Sequence, residues 1–446
     1  MSDPGPTWYE TSRVPTRERP RLNYPLDVDV CVVGGGLAGL TVAREVARRG
    51  WSVALLEARR LACGASGRNT GFVIPGFAED ADAIVERIGL DHAKQLWALS
   101  EQGLAYVRRT IEERGMAGVD PVPGWLRVSK TDEGTINRAK VERLRWIGAE
   151  VEFWPKERVR AELGNPRYFS AVHYPHAFHI HPLNYALGLA AAAEEAGALL
   201  FEDSEAVAID ASGVRKRIDT RAGRVRASHV VLAGNVGLGA LMPRLAATLL
   251  PLTTYVLVTE PLGPALRDLV RYRGAISDGE RADSHYRIVG GDRLQWAGGL
   301  RVWQADARGV ARVLLRDIAR NFPALGEVKI AHLWAGTLGR TVHRMPQIGE
   351  VAPGVWVASG FGGHGLNTTA MAGELIARGI VERDETWRLF APYELVWAGG
   401  VIGRTAAQGV YWGSRLAGRA MQRIACEREA ARARRSAGLR LRKPAE

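Results

Sequence analysis

The feature that most constrains the fold is a glycine-rich run between two apolar segments near the N-terminus. The apolar segment Asp29–Val33 is typical of a buried parallel strand, and GGGLAG (Gly34–Gly39) follows it directly. A helical pattern then continues to Gly50, a candidate for the residue that ends the helix, and Ser52–Glu57 is a second apolar strand. This order predicts one βαβ unit of about 30 residues.

The spacing within this unit is that of a dinucleotide-binding site. Gly34 permits the tight turn, Gly36 lets the backbone approach a pyrophosphate, and Gly39 lets the helix pack closely on the strand. The N-terminus of the helix then directs its partial positive charge at the phosphates. Glu57 ends the second strand, where a carboxylate can accept hydrogen bonds from a ribose diol. The glycine run alone would also suit an ordinary turn, but strand, helix and acid together predict dinucleotide binding.

A second glycine-rich segment distinguishes FAD from NAD. Gly64–Gly71 has the sequence GASGRNTG, and binding of NAD alone leaves it unexplained. Its small residues would admit a flavin beside the backbone, with Ser66 donating to the pyrophosphate and Arg68 placing positive charge nearby. Taken by itself, the segment is equally compatible with a simple loop.

The rest of the chain predicts a second sheet and a late return to the first. Residues 253–261, 286–299 and 332–341 are typical of strands in a largely antiparallel sheet, and residues 354–380 of a strand, a glycine-rich turn and a helix. A chain of 446 residues is long enough for two or three folding units. We therefore predict a mixed α/β (α+β) fold, in which a Rossmann-like FAD-binding domain is interleaved with a substrate domain on a mostly antiparallel sheet.

The predicted domains are discontinuous along the chain. An irregular N-terminal arm, rich in proline, precedes them, and a C-terminal extension with a basic tail follows them. The predicted ranges are 1–25 for the arm; 26–85, 160–250 and 330–385 for the FAD-binding domain; 86–159 and 251–329 for the substrate-binding domain; and 386–446 for the extension.

Six segments together resemble a known family. They are DVCVVGGGLAGL, LLEARRLACGASGRNTG, FHIHPLN, VVLAGN, RMPQIG and GFGGHGLNTTAMAGELIA. In their order from residue 29 to about residue 380 they resemble the FAD-dependent oxidases of the D-amino acid oxidase superfamily, especially the gamma-glutamylputrescine oxidase-like group. The combination of GASGRN with a much later GxGGHG is specific, whereas the single segments are not.

The resemblance implies which residues bind FAD. The ADP half would be held near the first turn, the pyrophosphate and flavin by the second glycine-rich segment, the adenine by one residue of a later strand, and the isoalloxazine by the late turn and helix. The residues near the first turn are Gly34, Gly36, Leu37, Ala38, Gly39 and Glu57, and those of the second glycine-rich segment are Ala65, Ser66, Gly67, Arg68 and Asn69. The residue of the later strand is Val207, and those of the late turn and helix are Gly362, Gly363, Gly365, Leu366 and Asn367. Ala233 and Gly234 would close the second FAD strand. The helix N-terminus after the late turn can stabilise an anionic reduced flavin.

Four residues are candidates for the catalytic and substrate-binding groups. His364 lies in the late turn, although it would also suit a structural role in satisfying turn carbonyls. Arg340 lies just before the RMPQIG motif, and Arg344 is its first residue. An arginine at either position can bind a substrate carboxylate through two hydrogen bonds, but a surface salt bridge is equally compatible with the sequence. Tyr255 is predicted to wall the pocket; like Tyr286, Trp296 and Trp334, it would also suit the core.

We predict that no metal is bound and that FAD is held non-covalently. His173, His176, His179 and His181 lie close in sequence but have no cysteine, aspartate or glutamate nearby to complete a site. Relatives attach flavin through a histidine near GASG or a late cysteine. No histidine lies between residues 61 and 71, and the only late cysteine is Cys426 in the tail.

Charge and composition bound the partners. Of the net charge of +12, a net of +7 lies in residues 415–446, which we predict to be a solvated, partly helical tail without a nucleic-acid partner. The three cysteines fit a reducing cytoplasm, and no segment approaches the ~20 uninterrupted apolar residues of a membrane span. The N-terminus also lacks the apolar region of a secretory signal.

The predicted function is oxidation of a C–N bond in a small-molecule amine or amino acid. Hydride would pass to flavin N5, and water would hydrolyse the imine. The electron acceptor is oxygen or another carrier, because residues 292–299 lack the lysine that activates oxygen in some relatives. A dehydrogenase or a flavoprotein tailoring enzyme therefore stays open, and a nucleic-acid-associated flavoenzyme is the less favoured alternative.

Overall fold

The computed structural model describes residues 6–132, 134–239, 241–278, 284–303 and 305–440, with side chains as far as residue 435. Its strands, numbered in chain order, are β1 Pro25–Val33, β2 Val53–Leu56, β3 Phe72–Val73, β4 Val122–Ser129, β5 Glu152–Pro155, β6 Ser170–His179, β7 Leu199–Phe201, β8 Ala206–Asp210, β9 Lys216–Thr220, β10 Arg224–Leu232, β11 Leu250–Thr259, β12 Ala275–Asp278, β13 Ser284–Val289, β14 Arg293–Arg301, β15 Ile330–Arg340, β16 Gln347–Ala352 and β17 Val355–Ser359.

The α-helices are α1 Trp8–Thr11, α2 Leu37–Arg48, α3 Ala65–Arg68, α4 Ala81–Ile88, α5 Leu90–Arg114, α6 Gly134–Trp146, α7 Lys156–Leu163, α8 Pro182–Glu195, α9 Pro243–Ala246, α10 Pro264–Leu269, α11 Ala307–Asn321, α12 Gly365–Val381 and α13 Gly400–Arg440. Short 3₁₀ turns occupy Asn235–Leu238, Pro323–Leu325 and Thr386–Phe390. Within the described residues, no helix combines the length and apolar character needed to cross a membrane.

The first sheet is the dinucleotide-binding sheet. Its strand order is β16-β17-β10-β1-β2-β7, with β9 beside β10 and β8 beside β9. Strands β17, β10, β1, β2 and β7 run parallel, and β1, α2 and β2 form the predicted βαβ unit. Helices α2, α5, α8 and α12 pack together on this sheet. The inner strands consist of continuous apolar residues because both faces of the sheet are covered at these strands.

The second sheet is mostly antiparallel, as predicted. Its order is β15-β11-β14-β13-β12-β4-β6-β3, with β5 beside β6, and among the described residues only β12 and β4 pair in parallel. One face forms a core with α11 that contains Tyr255, Tyr286 and Trp296. The opposite face, with Val256 and Trp334, joins the core of the first sheet. Residues that alternate along one strand therefore belong to different cores.

The predicted domain boundaries need correction at three elements. Strands β6 and β15 fall in ranges assigned to the FAD-binding domain, but they pair in the second sheet. Helix α5 falls in a range assigned to the substrate-binding domain, but it packs on α12. An alternating or apolar strand shows that it is a strand and not which distant strand it pairs with, so these assignments depended on contacts that no local pattern encodes.

The N-terminal arm is less irregular than its prolines indicate. Thr7 and Glu10 form a capping box for α1, which holds Tyr9 fully buried. The Tyr9 hydroxyl hydrogen-bonds to the Asn69 carbonyl oxygen (2.9 Å) and to Gln295 Oε1 (2.8 Å). The arm thereby joins the second glycine-rich segment to the second sheet.

The prediction of a solvated C-terminal tail was wrong for α13 as far as Arg432. Arg415 and Arg419 pair with Asp317 on α11, and Glu429 pairs with Arg160 on α7 (2.8 Å). The basic composition concealed this because ion pairs with distant acidic residues anchor the inner side of the helix. Residues 441–446 lie outside the described residues.

Candidate active site

The first glycine-rich turn leaves its backbone open toward the carboxyl edge of the first sheet. Gly34 has φ +115°, and a Cβ there would lie 2.7 Å from the Ala233 carbonyl carbon. A Cβ on Gly39 would lie 2.0 Å from the Gly34 oxygen, so α2 packs directly on the turn. A Cβ on Gly36 would meet only the Ser66 side chain, at 2.9 Å for Oγ. A phosphate group can therefore approach the backbone at Gly36 closely.

Hydrogen-bonding groups converge on the same turn. The Gly35 N–H donates to Glu57 Oε2 (2.8 Å), and the Arg59 N–H donates to Glu57 Oε1 (3.0 Å). These bonds fix the carboxylate at the end of β2, where it can also accept from sugar hydroxyls. Ser66 Oγ accepts from the Leu37 N–H (3.0 Å) at the first residue of α2. An open glycine backbone, a helix N-terminus and a fixed carboxylate fit the ADP portion of a dinucleotide.

The second glycine-rich segment contributes mainly structural contacts. Asn69 Nδ2 donates to the carbonyl oxygens of Ala65 (3.1 Å) and Ser66 (2.7 Å), so this side chain shapes the segment itself. A Cβ on Gly67 would lie 2.4 Å from the Ala62 oxygen. Within this segment, the contacts therefore favour Ser66 as the residue beside the cofactor, whereas Asn69 and Gly67 shape the segment itself. Ala38, like Leu37, is buried within α2.

A second turn opens onto the same edge of the sheet. Strands β1, β2, β10 and β17 are parallel, so Gly34–Gly39, Glu57, Ala233, Gly234 and the turn after Ser359 all lie at their carboxyl ends. Ligands of open α/β sheets bind at this edge. No atom lies within 4 Å of a Cβ built on Gly363 or Gly365, and α12 has no side-chain cap. The free backbone donors of α12 suit the oxygen-rich pyrimidine end of a flavin.

A loop of residues 75–80 encloses the second turn. Asn367 Nδ2 donates to the Gly76 carbonyl oxygen (3.2 Å), so its side chain holds this loop, and Leu366 is buried in the core. A Cβ on Gly362 would lie 2.9 Å from Ala78 Cβ. The loop therefore packs against the turn, which leaves little room there for a larger residue.

His364 is buried beside the turn in its neutral form. Burial, together with the charges of Arg127 and His285, lowers the pKa of His364 to about 3. Its Nδ1 atom is buried and has no hydrogen-bond partner among the described residues. An unsatisfied buried nitrogen is costly unless a ligand completes it. The imidazole is thus an available neutral contact and not a carrier of positive charge.

A polar row on the second sheet faces His364, and the sequence analysis missed it. Ser277 on β12 lies opposite Arg127 on β4 and opposite His285 on β13. Ser277 Oγ and His285 Nδ1 are 2.8 Å apart, and burial lowers the pKa of His285 to about 4. Arg127 also hydrogen-bonds Tyr174, whose pKa burial raises to about 12. The row places one guanidinium and neutral polar groups beside the turn.

A cleft of about 640 Å³ extends to Tyr174, the hydrogen-bond partner of Arg127. Trp97 and Glu101 of α5 also line this cleft. Burial raises the pKa of Glu101 above its ordinary value. The cleft is a route by which a small molecule can reach Tyr174.

Arg340 lies on the other side of the second turn. Its backbone bridges Phe361, and its Cγ is 4.0 Å from a Cβ built on Gly362. Its half-buried side chain makes no hydrogen bond or ion pair within the described parts of the chain. Burial, with the nearby Arg344 charge, lowers the pKa of Arg340 below its ordinary value. Arg344 differs, because it is more exposed and its Nη1 is 3.6 Å from Glu79.

One predicted site residue, Tyr255, points away from the site, whereas the role of a second, Val207, stays a prediction. Tyr255 lies in the core with α11, where its hydroxyl donates to the Ala305 carbonyl oxygen (3.3 Å) and accepts from the Ala305 N–H (3.1 Å). Its predicted role at the substrate pocket is therefore wrong. Strand alternation is the reason, because Val256 occupies the face toward the first sheet. Val207 lies on the outer strand β8 with 47% of its surface exposed.

The clustered histidines also have separate partners. His173 and His176 contact Glu152 and Glu150, respectively. His179 accepts from Arg287 (2.8 Å), and His181 caps α8. Among the described residues, no group of three or more histidine, cysteine, aspartate or glutamate side chains could hold a metal ion.

A carboxyl-edge crevice that fits an ADP group at one turn and a flavin ring at the next defines an FAD-dependent oxidoreductase. The model of the DAO family, described as "FAD dependent oxidoreductase", matches residues 29–378. The chain therefore belongs to this family, and FAD is its cofactor.

Two curated proteins illustrate the relationship in sequence. Gamma-glutamylputrescine oxidoreductase of Escherichia coli (strain K12) is 34% identical over 369 residues, which cover 81% of this chain and 86% of that protein. The probable oxidoreductase OrdL of Haemophilus influenzae (strain ATCC 51907 / DSM 11121 / KW20 / Rd) is 29% identical over 406 residues, which cover 89% and 93%.

Solved structures share the fold. Glycine oxidase from Geobacillus kaustophilus superposes with a TM-score of 0.70 and 24% identity, over 83% of this chain and 99% of that chain. L-proline dehydrogenase from P. horikoshii gives a TM-score of 0.70 and 20% identity, over 83% and 98%.

Proposed function

We propose that the protein oxidises a C–N bond of an amine or amino acid that carries an anionic group. The observation that carries the anionic group is Arg340, a half-buried guanidinium beside the second turn that forms no hydrogen bond or ion pair with the described residues, although the charge of Glu79 acts on it. The names of the relatives support the amine, because they include gamma-glutamylputrescine, glycine and L-proline as the compounds acted on. When bound, FAD supplies a two-electron acceptor that takes hydride from the carbon next to nitrogen.

The described residues would hold the cofactor along the carboxyl edge of the first sheet. The N-terminus of α2 and the open backbone at Gly36 would receive the pyrophosphate, and Glu57 the ribose. The uncapped N-terminus of α12 would face the pyrimidine end of the flavin, where negative charge develops on reduction. We propose that no covalent bond is formed, because Cys63 Sγ lies beside Glu57 (4.0 Å), at the ribose end.

The charges around the second turn would favour the reactive form of the substrate. An amine gives up hydride only when its nitrogen lone pair is free. Arg127 and the positive end of α12 disfavour a second positive charge nearby, so they lower the pKa of a bound ammonium group. The neutral His364 adds no opposing negative charge, and its free Nδ1 can hydrogen-bond the substrate.

Arg340 would orient the substrate through its anionic group. A guanidinium binds a carboxylate through two parallel hydrogen bonds, and burial strengthens the pair. Because burial already lowers the pKa of Arg340, a bound anion would relieve an unfavourable situation in the free enzyme. Holding the substrate at one end positions its C–H bond for transfer.

The test is anaerobic reduction of the purified yellow holoenzyme by a panel of matched compounds. Amines and amino acids with a carboxylate should bleach the flavin absorbance, and otherwise identical compounds without the carboxylate should do so at much higher concentration. Bleaching by none of the amines would contradict the proposed reaction. Readmitting air or adding a dye acceptor then shows which acceptor, oxygen or another carrier, restores the colour faster.

A further inference from the structure

The outward side of α13 is apolar although no part of the described chain covers it. Ile402 (79% exposed), Val410 (64%) and Leu416 (66%) lie on this side, and Ile424 (46%) continues it. The inner side of the helix, by contrast, carries the buried Gln408 and the ion pairs to Asp317. A helix docked by one face normally presents a polar face to water. Large exposed apolar patches mark interaction sites.

The apolar side is symmetric about its centre. Its residues recur at spacings of three and four, which keeps them on one face of the helix. Residues at equal distances before and after Gly413 in the sequence are similar in size: large residues correspond to large ones and small residues to small ones. We call this set the α13 stripe: Ile402, Ala406, Gly409, Val410, Gly413, Leu416, Ala417, Ala420 and Ile424, in which Ile402 matches Ile424, Ala406 matches Ala420, Gly409 matches Ala417 and Val410 matches Leu416.

The charges beside the stripe are asymmetric, which selects the direction of a partner. The exposed arginines Arg423 and Arg428 flank its second half, where Arg423 pairs with Glu427 (2.8 Å). Between residues 401 and 414 the one charged residue is Arg404, which is only partly exposed. A parallel second helix would bring the arginines together, whereas an antiparallel one places them beside the uncharged half.

We propose that a second copy of this chain covers the α13 stripe, forming a two-fold symmetric dimer whose antiparallel α13 helices cross at Gly413. In such an interface each residue of the stripe meets its match on the partner, as an isologous interface requires. The small residues near the crossing allow the helix axes to approach at the short end of the usual range of about 8–10 Å. The matching of residues about Gly413 favours a second copy over a lipid surface, because only a two-fold partner requires matched residues.

The mass of the FAD-loaded full chain in solution tests the dimer. Analytical ultracentrifugation should show twice the chain mass, and Leu416→Glu should raise the dimer dissociation constant at least about 100-fold. The matched control is Val214→Glu, because Val214 is 87% exposed and lies outside α13, so this variant should stay dimeric. Flavin content and melting temperature should be unchanged in both variants. A monomeric wild-type protein, or a Leu416→Glu variant that dimerises normally, would overturn the proposal.

Cysteine cross-linking tests the antiparallel geometry. In a Cys426→Ser background, Gly413→Cys should link to its own copy under mild oxidation, because the two-fold axis passes through this position. Ile402→Cys alone should not link to itself, since its match on the partner is Ile424, whereas the double variant Ile402→Cys/Ile424→Cys should. Linking of Ile402→Cys alone without linking of Gly413→Cys would refute the antiparallel pair. Binding of a monomeric wild-type protein to anionic phospholipid vesicles would show that a membrane surface covers the stripe instead.

Discussion

Replacing Arg340 by leucine removes a half-buried guanidinium beside the second turn that forms no hydrogen bond or ion pair with the described residues. Losing one member of a desolvated charge pair, while the other stays buried, costs about 2–5 kcal/mol. The lower end suits Arg340, because it is half-buried. Arg340→Leu should therefore raise the apparent substrate constant by roughly 30-fold or more for substrates with a carboxylate.

The same change should have little effect on amines without an anionic group, because they leave Arg340 unpaired in the wild-type protein too. Arg344→Leu is the matched control. Its side chain is 41% exposed and already 3.6 Å from Glu79, so removing it should change the same constant by less than about 5-fold.

Steady-state kinetics on both variants, with acidic and neutral amines of matched length, separates the outcomes. Folding is checked by the flavin content and the melting temperature, which should match the wild-type values because Arg340 forms no hydrogen bond or ion pair with the described residues. Equal effects on acidic and neutral amines would refute the anchoring role and make Arg340 structural. No effect on either would place the anionic group of the substrate elsewhere, with Arg127 as the next cation to test.

Further predictions concern the cofactor, the C-terminal helix and the buried histidine. Gly36→Val should abolish flavin binding, because a Cβ there already lies 2.9 Å from Ser66 Oγ and its branches would fill the phosphate approach; the purified variant should be colourless, while Gly213→Ala stays yellow. Arg415→Ala should lower the free energy of unfolding by about 1 kcal/mol, because the buried Asp317 loses one arginine but keeps its ion pair with Arg419; an unchanged denaturation midpoint would contradict this. His364 has a pKa of about 3 when folded and about 6.5 when unfolded, so the unfolded state binds more protons and stability falls as the pH decreases below about 6.5. The melting temperature should accordingly fall less between about pH 7 and about pH 5 in His364→Gln than in the wild-type protein, and equal slopes would show that His364 is charged in the fold.

The sequence predicts the dinucleotide-binding half of the fold because its signals are local. Strand β1, the glycine turn, α2 and β2 lie within one continuous stretch, and each glycine has a steric reason at its own position. The membership of β6 and β15 in the second sheet depends on pairing with distant strands, which no local pattern specifies.

The substrate side of the site shows the same limit more sharply. Arg127, Ser277 and His285 form one row only because β4, β12 and β13 are neighbours, and each is an isolated polar residue in the sequence. Tyr255 was assigned to the wrong face because alternation identifies two faces without saying which one the cofactor domain covers. Val256, the next residue along the strand, lies on the face toward the first sheet.

The most direct test of the account is rapid anaerobic mixing of the holoenzyme with an acidic amine carrying deuterium on the carbon next to nitrogen. The substrate should bleach the flavin, and deuterium should slow this bleaching, because breaking that C–H bond reduces the cofactor. Acid precipitation of the same preparation should release free FAD. A flavin that no amine or amino acid reduces, or a protein that binds NAD without flavin, would contradict the central claim.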